Sequence, residues 1–527
     1  MVTSHSKNKD KNLYFQQLQS QLRNRWQSID LFDQDDRDIL VVPSLSLDQR
    51  QLKKIDGYLH YEERLLFSLI RLRNPYTRLI YVTSQPLAPA IIDYYLQLLP
   101  GIPFSHARDR LLLFSTHDAS LKPLSQKILE RPRLIERIRK AMRPQKSYMV
   151  CFNSTSLEQE LSLKLDIPLL ACSPELLYWG SKSGSRDVFA EAQIPHPDGI
   201  IGAKNAEEVV EAAADLWERN PDLQRMVIKL NEGFSGEGNA LLDLRPVSDQ
   251  HTRSQRLQTI RDRLPHLGFQ SDSETWEAFS SRIPDLGAIV EAFVEGEEKR
   301  SPSVQGYITP DGEVHILSTH DQILGGPNGQ IYLGCRFPAD AAYRLQLQEM
   351  GIKVGKVLAS KGALERYGVD FIAVRQPDKQ WDIQAIEINL RKGGTTHPFM
   401  ALKLLTNGQS DPDTGLLYSQ QGKPKYYIAS DNLQKPQYRG LLPNDLMEII
   451  TCHRLHFDSS TMTGTVFHLM GALSEFGKLG LTSVGNSLEE AEEIRDRVEA
   501  VLDRETDAIA SNAATPSLPI IWLGGDS

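Results

Sequence analysis

The segment YGVDFIAVRQPDKQWDIQAIEINLRKGGTTHP, from Tyr367 to Pro398, decides the fold of the chain around it. Two runs rich in branched and aromatic residues flank the polar stretch QPDKQ, which predicts two strands joined by a turn. A turn centred on Asp378 and Lys379 brings Asp370 directly opposite Glu387 in an antiparallel pair. The sequence therefore predicts a hairpin in which two carboxylates face each other.

The second strand of this hairpin carries one polar and one apolar face. Because strand side chains alternate between faces, Glu387 and Asn389 emerge on the same side. The residues expected to anchor the opposite face are Ile386, Ile388 and Leu390. A carboxylate and an amide oxygen are thus held together on one surface.

Facing carboxylates repel each other unless a cation neutralises them. Asp370, Glu387 and Asn389 offer oxygen atoms, and oxygen ligands suit Mg²⁺ or Mn²⁺ better than zinc. We therefore interpret the hairpin as a divalent metal site. The alternative is an edge hairpin whose polar face meets water, and the hairpin residues alone leave both interpretations open.

The length and charge of the chain exclude several functional classes. Its 527 residues are enough for about two to four domains. With 59 basic and 68 acidic residues the formal charge is −9, so no global attraction to nucleic acid or an anionic membrane is expected. The basic run from Arg131 to Lys146 lacks the interleaved aromatic residues of nucleic-acid surfaces. We expect a globular protein with neither nucleic acid nor membrane as partner.

The cysteines and the first residues indicate a reducing compartment. No two cysteines form a CxxC pair, so neither a disulfide framework nor a zinc site is indicated. The cysteines are Cys151, Cys172, Cys335 and Cys452. The start of the chain lacks the apolar core of a signal peptide, and no apolar run reaches membrane-spanning length. We expect a cytoplasmic protein.

The first third of the chain alternates short apolar runs with helical patterns. A polar extension over residues 1–36 precedes them. Candidate strands begin at Ile39, Leu79, Leu111 and Tyr148. Strands that alternate with helices are typical of a parallel α/β domain. The strand ends carry no glycine fingerprint, so the fold type alone supports no nucleotide-binding role here.

A glycine-rich loop lies between two predicted strands. The strand Arg225 to Leu230 is followed by NEGFSGEG, residues 231–238, and by a second strand from Ala240 to Leu244. The Walker and Rossmann loops both open a helix, and here a strand follows the last glycine. The loop can still fold over a triphosphate and donate backbone N–H groups.

Lys229 lies among apolar neighbours in the first of these strands. A lysine on a half-buried strand usually contacts an anion. The alternative is a lysine whose ammonium reaches solvent at a sheet edge beside a turn. Both interpretations stay open at this point.

The segment GAIVEAFVEGEEKRS, residues 287–301, predicts another strand that runs into a turn. Glu291 and Glu298 bracket that turn. The free backbone groups of such a strand can contact an adenine edge, and a carboxylate after the turn can accept from ribose hydroxyls. The alternative, which the residues alone favour, is a charged surface turn.

Taken in order, these motifs resemble the ATP-grasp superfamily of carboxylate-amine ligases. The resemblance covers about Trp179 to Leu404. The flanking segments, among them GTVFHLMGALSEFGKLGLTSVGNS from Gly464, are similar to the end domains of the pheganomycin-type peptide ligase family. A single motif of this kind is a weak signal, but several motifs in the family's order are specific.

The resemblance implies an α/β protein with three folded parts. They are a pre-ATP-grasp parallel α/β domain, an ATP-grasp fold in which two α+β subdomains clasp the nucleotide, and a small C-terminal α+β domain. The implied boundaries are 1–36 for the polar extension, 37–176, 177–407 and 408–507 for the three domains, and 508–527 for a flexible tail.

Carried over residue by residue, the resemblance implies an ATP site and a Mg²⁺ or Mn²⁺ site. The first comprises two lysines, the glycine-rich lid, an adenine-side glutamate, a hinge position and a ribose glutamate. The nucleotide-binding residues are Lys182, Lys229, Gly233, Ser235, Gly236, Gly238, Glu291, Val294 and Glu298. The metal-binding residues are Asp370, Glu387 and Asn389. This metal set agrees with the register argument from the hairpin.

The sequence departs from the family at Gly368. Many members carry an arginine there, two positions before the metal-binding aspartate, to steady the acyl intermediate. Arg336 and Arg391 are the catalytic candidates to replace it. The stretch LRKGGTTHP is similar to the pheganomycin-type subgroup, and its candidates for substrate contact are Lys392, Thr395, Thr396 and His397. Lys392 is also a third catalytic candidate beside the two arginines.

The implied function is ATP-dependent formation of an amide through an acyl phosphate. Its partners would be small-molecule carboxylates and amines or peptides, and association into a homo-oligomer is compatible with the resemblance. Two alternatives remain: an ATP-binding regulatory protein with a catalytically silent fold, and an ATP-grasp phosphotransferase.

Overall fold

A computed structural model describes most of the chain. The described residues are 2–23, 36–99, 101–232, 238–245, 252–269, 274–325 and 331–513. Three sheets organise them, with four, five and eleven strands. None of the described helices combines the length and apolar character that crossing a membrane requires.

The first sheet is parallel, with the strand order β3-β2-β1-β4. Its strands are β1 (Asp38–Val42), β2 (Arg78–Thr83), β3 (Leu111–Ser115) and β4 (Ser147–Cys151). The surrounding helices are α1 (Val2–Arg23), α2 (Gln49–Lys53), α3 (Pro89–Gln97), α4 (Phe104–Arg108), α5 (Leu124–Leu129), α6 (Pro132–Ala141) and α7 (Ser156–Leu165), with a 3₁₀ helix at Tyr58–Arg73. All four predicted strands and the parallel α/β fold are confirmed.

Helix α1 packs on this part of the protein, which the polar composition of residues 1–36 did not predict. Phe15, Leu18 and Leu22 are buried. Phe15 belongs to the core cluster that includes Leu40 and Val42 of β1. Because these three residues follow the helical spacing of three and four, they form one apolar stripe. The stripe is narrow, so the polar residues around it concealed it in the sequence.

The second sheet is antiparallel, with the order β5-β9-β6-β7-β8. Its strands are β5 (Gly199–Ala203), β6 (Arg225–Leu230), β7 (Asn239–Asp243), β8 (Gly268–Phe269) and β9 (Ala288–Ala292). The helices of this region are α8 (Lys182–Glu191), α9 (Ala206–Arg219), α10 (Arg253–Arg263), α11 (Trp276–Ser280) and α12 (Ile283–Leu286), with 3₁₀ turns at Pro174–Gly180 and Leu264–His266. The predicted strands on both sides of the glycine-rich loop are confirmed.

The third sheet has eleven strands and its pairs are antiparallel. Its strands are β10 (Lys299–Arg300), β11 (Pro302–Ile308), β12 (Val314–Gly325), β13 (Ile331–Phe337), β14 (Glu365–Arg375), β15 (Trp381–Asn389), β16 (Gln409–Asp411), β17 (Leu416–Tyr418), β18 (Pro424–Gln434), β19 (Gly464–His468) and β20 (Lys478–Gly485). The helices of this half are α13 (Arg344–Ser360), α14 (Thr396–Thr406), α15 (Pro443–His453), α16 (Leu473–Phe476) and α17 (Leu488–Ala513), with 3₁₀ turns at Pro436–Tyr438 and Met470–Ala472.

Strand pairing continues across the boundary expected at residues 407 and 408. Strand β13 pairs with β18, which in turn pairs with β20. One apolar cluster joins residues of β2, α14 and β18, among them Tyr81, Phe399 and Tyr427. The N-terminal and C-terminal parts of the chain therefore share a core, and the domain limits stay a prediction.

The predicted hairpin is β14 and β15, and Asp370 does pair with Glu387. The register at this pair is the predicted one, but nearer the turn the pairing is shifted by one residue. Near the turn Phe371 pairs with Ala385, and a continuous ladder would then place Ile386 opposite Asp370. A bulge between Asp370 and Phe371 leaves Ile386 as an extra residue and restores the facing carboxylates.

The bulge also changes the face on which Ile386 lies. The prediction that Ile386 anchors the buried face is wrong, because the side chain is only partly buried and lines a cleft. Ile388 and Leu390 do lie in the core, as predicted. An extra residue places two successive side chains on one side of a strand, and alternation read from the sequence does not show where that happens.

The first helix generates a prediction on stability. Phe15 is 1% exposed, and truncation of such a side chain costs about 3–5 kcal/mol. We expect Phe15→Ala to lower the midpoint of urea unfolding, followed by circular dichroism. The matched control is Leu13→Ala, whose side chain in the same helix is 56% exposed, with an expected change within about 0.5 kcal/mol. Equal midpoints for the two variants would contradict the packing of α1.

Candidate active site

A cleft of about 1320 Å³ lies between the five-stranded and the eleven-stranded sheets, and residues of the N-terminal part, among them Tyr61, Arg64 and Phe152, also line it. Strands β6 and β9 of the five-stranded sheet form one wall, and β14 and β15 form another. The residues that line it and concern the site are Tyr61, Arg64, Phe152, Lys229, Glu291, Val294, Gln322, Arg336, Asp370, Glu387, Asn389, Arg391, Asp431 and Lys478. Both basic and acidic side chains line the cleft, which therefore suits a highly charged ligand.

Asp370 is held by amide groups on both of its oxygens. Gln322 Nε2 donates to Oδ1 at 2.7 Å, and Asn389 Nδ2 donates to Oδ2 at 3.1 Å. Burial and the facing charge of Glu387 raise the pKa of Asp370 to about 7. The charge of Arg391 opposes this rise in pKa but does not cancel it.

The negative charge of Glu387, unlike that of Asp370, is balanced by a lysine in direct contact. Its Oε2 lies 3.2 Å from Lys182 Nζ. Burial would raise the pKa of Glu387, but the charges of Lys182 and Lys229 outweigh it and hold the pKa below its ordinary value. Helix α8 begins at Lys182, directly after its N-cap residue Ser181. The helix therefore fixes the lysine beside the carboxylate.

The donor set of the hairpin fits a hard divalent cation. Two carboxylates and one amide oxygen supply part of an oxygen coordination shell, and phosphate oxygens and water usually complete such shells for Mg²⁺. The described residues contain no cluster of three or more His, Cys, Asp or Glu side chains arranged for a metal. A cation here would thus depend on a bound ligand for its remaining contacts.

Lys229 contacts a carboxylate, as predicted by the interpretation in which this lysine binds an anion rather than reaching solvent. Its Nζ lies 2.5 Å from Glu291 Oε2, and Arg186 Nη1 donates to Glu291 Oε1 at 2.8 Å. Burial would raise the pKa of Glu291, but the two cations hold it below its ordinary value. Because one carboxylate faces two cations, this wall of the cleft keeps a net positive charge.

The hinge after β9 exposes backbone to the cleft. The Val294 carbonyl accepts from Lys299 Nζ at 2.6 Å. The ammonium of Lys299 and the guanidinium of Arg225 lie over the Phe293 ring, at 4.2 and 4.0 Å from its centroid. An aromatic ring beside a polar backbone segment can hold a planar heterocycle.

Glu298 is not among the residues that line the cleft. Its carboxylate contacts Arg375 Nη1 at 2.9 Å and Arg300 Nη2 at 3.5 Å. The role expected for Glu298, contact with a ribose, requires a rearrangement of these ion pairs and stays a prediction.

The glycine-rich loop is described at its end only. Gly233, Ser235 and Gly236 lie outside the described residues. Gly238 adopts a φ of 91°, and its carbonyl accepts from Leu230 N at 2.8 Å. A residue with a side chain would be strained at this φ, so glycine is required where the loop rejoins the sheet.

The three basic residues considered for catalysis lie in different surroundings. Arg336 lines the cleft and contacts Glu492 at 3.3 Å. Arg391 also lines the cleft, close enough to Glu387 and Asp370 that their charges act on its pKa, although burial lowers that pKa overall.

Lys392 does not line the cleft. It is buried and its Nζ lies 2.9 Å from Glu365 Oε1. The expected substrate contact of Lys392 is thus replaced, in the structure, by an interior ion pair. His397 is likewise buried, with Nδ1 at 3.2 Å from the Arg64 carbonyl.

The side-chain amide of Gln305 lies beside Gly368. A Cβ at this position would lie 3.0 Å from Gln305 Oε1. Gly368 pairs with Asn389 on one side and with Gln305 on the other. The side chain of Gln305 therefore occupies the space that an arginine at position 368 would enter.

The end of the cleft beside the 3₁₀ helix Tyr58–Arg73 carries charges that the sequence did not single out. Arg64 Nη2 lies 2.5 Å from Asp431 Oδ2 and its guanidinium lies 3.9 Å from the Tyr61 ring centroid. Lys478 Nζ donates to Tyr61 Oη at 2.9 Å. These residues come from distant parts of the sequence, so no local motif identifies them.

Arg186 was also missed, although a sequence signal existed. It follows Lys182 by four residues in the same helix, and residues at that spacing share a helix face. A second cation on that face indicated an anion nearby. Gln322 had no such signal, because it reaches Asp370 only through the pairing of β11 with both β12 and β14.

Comparison with protein families gives two matches. Residues 174–267 and 254–413 match the family described as IQCH-like, ATP-grasp. Residues 445–498 match the PGM1 C-terminal domain. The first match includes both strands of the hairpin and the strands beside the glycine-rich loop.

Two curated relatives are similar over most of this chain. An L-propargylglycine–L-glutamate ligase from Streptantibioticus cattleyicolor is 31% identical over 485 residues, which cover 88% of this chain and 93% of the relative. The IQ motif-containing protein H of Danio rerio is 24% identical over 417 residues, which cover 71% of this chain. The chain matches 39% of the length of that second protein.

Solved structures share the fold at low sequence identity. The biotin carboxylase domain of Hydrogenobacter thermophilus 2-oxoglutarate carboxylase, determined with MgADP, ADP and bicarbonate, superposes with a TM-score of 0.53 at 13% identity, over 89% of both chains. Pyruvate carboxylase of Rhizobium etli gives 0.51 at 14% identity, over 88% of this chain and 37% of that one. At this identity the likeness concerns the fold alone.

The raised pKa of Asp370 generates a prediction on metal affinity. Only the deprotonated carboxylate binds a cation, so affinity is fully present above pH 7 and is lost as the pH falls through about 7. We expect Mg²⁺ affinity, measured by calorimetry with ADP present, to weaken by up to about tenfold per pH unit below that value. Asp370→Asn should bind Mg²⁺ weakly at every pH.

The control for this measurement is Asp382→Asn, which changes a carboxylate on the paired strand β15 that does not line the cleft. Its pH profile should match that of the unchanged protein. A Mg²⁺ affinity that is constant between pH 5.5 and 8 would contradict the coupling of Asp370 to the metal.

Proposed function

The chain belongs to the ATP-grasp ligases, the family of the L-propargylglycine–L-glutamate ligase, and we propose that its cleft joins the carboxylate of one amino acid to the amine of another. The protein is an ATP-dependent ligase that forms a C–N bond. Small-molecule substrates of the amino-acid class follow from the relative's substrates and from the size of the cleft.

The observation that carries the proposal is the pair of half-buried carboxylates, Asp370 and Glu387, that face each other in the cleft. Asp370 and Glu387 are held opposite each other although burial and mutual repulsion make this costly. The charge of Lys182 balances that of Glu387, and no cation among the described residues balances the charge of Asp370 to the same degree. A cation that arrives with a phosphate chain accounts for this imbalance.

Asp370, Glu387 and Asn389 would hold Mg²⁺ or Mn²⁺. When bound, such an ion neutralises phosphate oxygens and stabilises the charge that develops during phosphoryl transfer. The chain's own contribution is to fix these three groups, through the bulge in β15 and through the amides of Gln322 and Asn389 on Asp370.

Lys182, Lys229 and Arg391 supply positive charge around the same space. A substrate carboxylate attacks the γ-phosphorus of ATP, so that a C–O–P linkage forms and ADP leaves. Fixed cations stabilise this crowding of anions because they need no reorganisation during the reaction. Arg391 is the cleft residue that best takes the place of the arginine missing at Gly368, since Gln305 fills the space beside the glycine.

The second step forms the amide. The amine nitrogen attacks the carbonyl carbon of the acyl phosphate, the C–O bond breaks and phosphate leaves. The ammonium loses two protons in all, of which one departs on hydrogen phosphate and one passes to solvent. The nucleotide contacts of Val294, Glu291 and Glu298 stay part of the proposal, as do those of Gly233, Ser235, Gly236 and Gly238.

Turnover with amino-acid pairs tests the proposed function. We expect ADP release and a dipeptide mass when the protein is incubated with ATP, Mg²⁺ and two L-amino acids, and neither without them. Glu387→Ala should reduce turnover by about 100-fold or more, because it removes a carboxylate ligand of the metal ion that would neutralise the transferring phosphate. The control is Glu313→Ala, a carboxylate that is 71% exposed in a turn. ADP release that needs no second substrate would refute ligation.

Two neighbouring cations provide a second prediction. Arg391→Met should lower kcat by about 100-fold with little change in stability, because the residue faces the cleft. Lys392→Met should instead destabilise the protein by about 3 kcal/mol, because it removes the nearer of the two cations beside the buried Glu365, the other being Arg366 at 3.6 Å. Turnover and thermal unfolding of both variants separate the roles. A loss of kcat in a stable Lys392→Met protein would restore Lys392 as a substrate contact.

A further inference from the structure

The cleft extends beyond the metal-binding hairpin to a polar end whose residues have no role in the reaction steps proposed above. We name it the distal end and define it by Tyr61, Arg64, Phe152, Asp431 and Lys478. The first two lie on the 3₁₀ helix Tyr58–Arg73, Phe152 follows β4, and the last two lie on β18 and β20. Three separate regions of the chain thus converge on one small space.

Arg64 is fixed in place by aromatic and ionic contacts. Its guanidinium lies 3.9 Å from the ring centroid of Tyr61 and 5.3 Å from that of Phe152. Nη2 lies 2.5 Å from Asp431 Oδ2, and both side chains are 12% exposed. A guanidinium has five N–H donors, so contact with one carboxylate leaves donors for a second.

Lys478 is buried beside the same aromatic ring. Its ammonium donates to Tyr61 Oη at 2.9 Å and lies 5.2 Å from the ring centroid. Within the described part of the chain, no acidic side chain lies within ion-pair distance of Lys478. A buried ammonium with three donors and a phenol as its partner can accept an anion from outside.

Asp431 occupies a bulge of β18, where the register shifts between Ser430 and Leu433. The bulge directs Asp431 and Asn432 towards the cleft, which both residues line. The distal end therefore combines two buried cations with one carboxylate. Its charge pattern is complementary to a ligand that carries both a carboxylate and an ammonium.

The contacts of the distal end are distinct from those of the metal-binding hairpin. Arg64 pairs with Asp431 and Lys478 donates to Tyr61, whereas Glu387 pairs with Lys182 and Asp370 accepts from Gln322. We therefore assign a carboxylate held by Arg64 and Lys478 to a different group from the one that the hairpin activates. It belongs to a substrate that keeps its carboxylate in the product.

We propose that the distal end binds the amine substrate as an α-amino acid, with its free carboxylate on Arg64 and Lys478 and its ammonium directed to Asp431. This inference rests on the proposed ligation and assigns the residues that hold the second amino acid. The product is an amide that retains a free carboxylate. An amine without that carboxylate loses the contacts of two buried cations.

A comparison of amino acids with their amides tests the inference. The probes are L-glutamate as the first substrate, and each proteinogenic L-amino acid or L-propargylglycine as the second, beside its α-carboxamide. With the unchanged protein, we expect kcat/KM for the free acid to exceed that for the amide by about 10- to 100-fold, the range for a charge-assisted hydrogen bond.

Lys478→Met should raise KM for the amino acid by about tenfold or more, with KM for ATP within about twofold. The preference for the free acid over the amide should shrink in parallel. Lys478→Arg should restore most of the preference. The matched control is Lys140→Met, a lysine that is 76% exposed on α6, and it should leave every kinetic constant unchanged.

A fold defect is distinguished from a binding defect by KM for ATP and by the thermal midpoint, which Lys478→Met should leave close to those of the unchanged protein. Arg64→Lys provides a second variant that keeps the charge but loses the planar fork, and it should weaken binding of the free acid more than that of the amide.

Two outcomes would overturn the inference. If the free acid and the amide are ligated equally well, the distal end does not bind the carboxylate of the second substrate, and the proposed ligase function is unaffected. If Lys478→Met alters KM for the first amino acid and not for the second, the distal end binds the acyl donor. Absence of any amide product with every pair would instead refute the proposed ligation, and this inference would fall with it.

Discussion

The repulsion between Asp370 and Glu387 is the constraint on which the cleft depends. Two carboxylates are held face to face in a buried hairpin, and the surrounding structure is arranged to keep them there. Lys182 from α8 compensates one of them, and the amides of Gln322 and Asn389 orient the other. Such an arrangement costs stability in the absence of a ligand. It becomes favourable when a cation and phosphate groups arrive, so the same feature that weakens the free protein selects its ligand.

The sequence predicted the elements of the site more reliably than their mutual contacts. The four parallel strands, the strands on both sides of the glycine-rich loop and the hairpin were all recognised, because each depends on local periodicity. The facing pair Asp370–Glu387 was predicted from a register that proved one residue out near the turn, and a bulge at Ile386 compensated for this difference. A bulge has no signature in the alternation of side chains, so the position of Ile386 could not be predicted.

Contacts between distant segments account for what the sequence did not reveal. The 3₁₀ helix that carries Arg64 looks like an ordinary amphipathic segment, and Asp431 lies in a strand without a recognisable motif. Lys478 lies in the family-like segment from Gly464, but that resemblance gave it no role. Their meeting depends on the C-terminal strands joining the large sheet and packing against the N-terminal part. Lys392 illustrates the reverse case. Lys392 follows Arg391 directly in a stretch expected to contact substrate. The side chains of these two consecutive residues point in different directions, and Lys392 forms an ion pair with Glu365 in the interior.

The hydrogen bond between Lys478 and Tyr61 joins residues 417 positions apart. During synthesis, the wall that contains Tyr61 therefore leaves the ribosome long before its counterpart exists. The first parallel sheet is made of contiguous chain and can form early, whereas the cleft waits for strands β18 to β20. Any shortened product that ends before β20 lacks one side of the cleft and exposes the apolar surface that Tyr81, Phe399 and Tyr427 share. Premature termination would thus give chains prone to aggregation, rather than partly active enzymes.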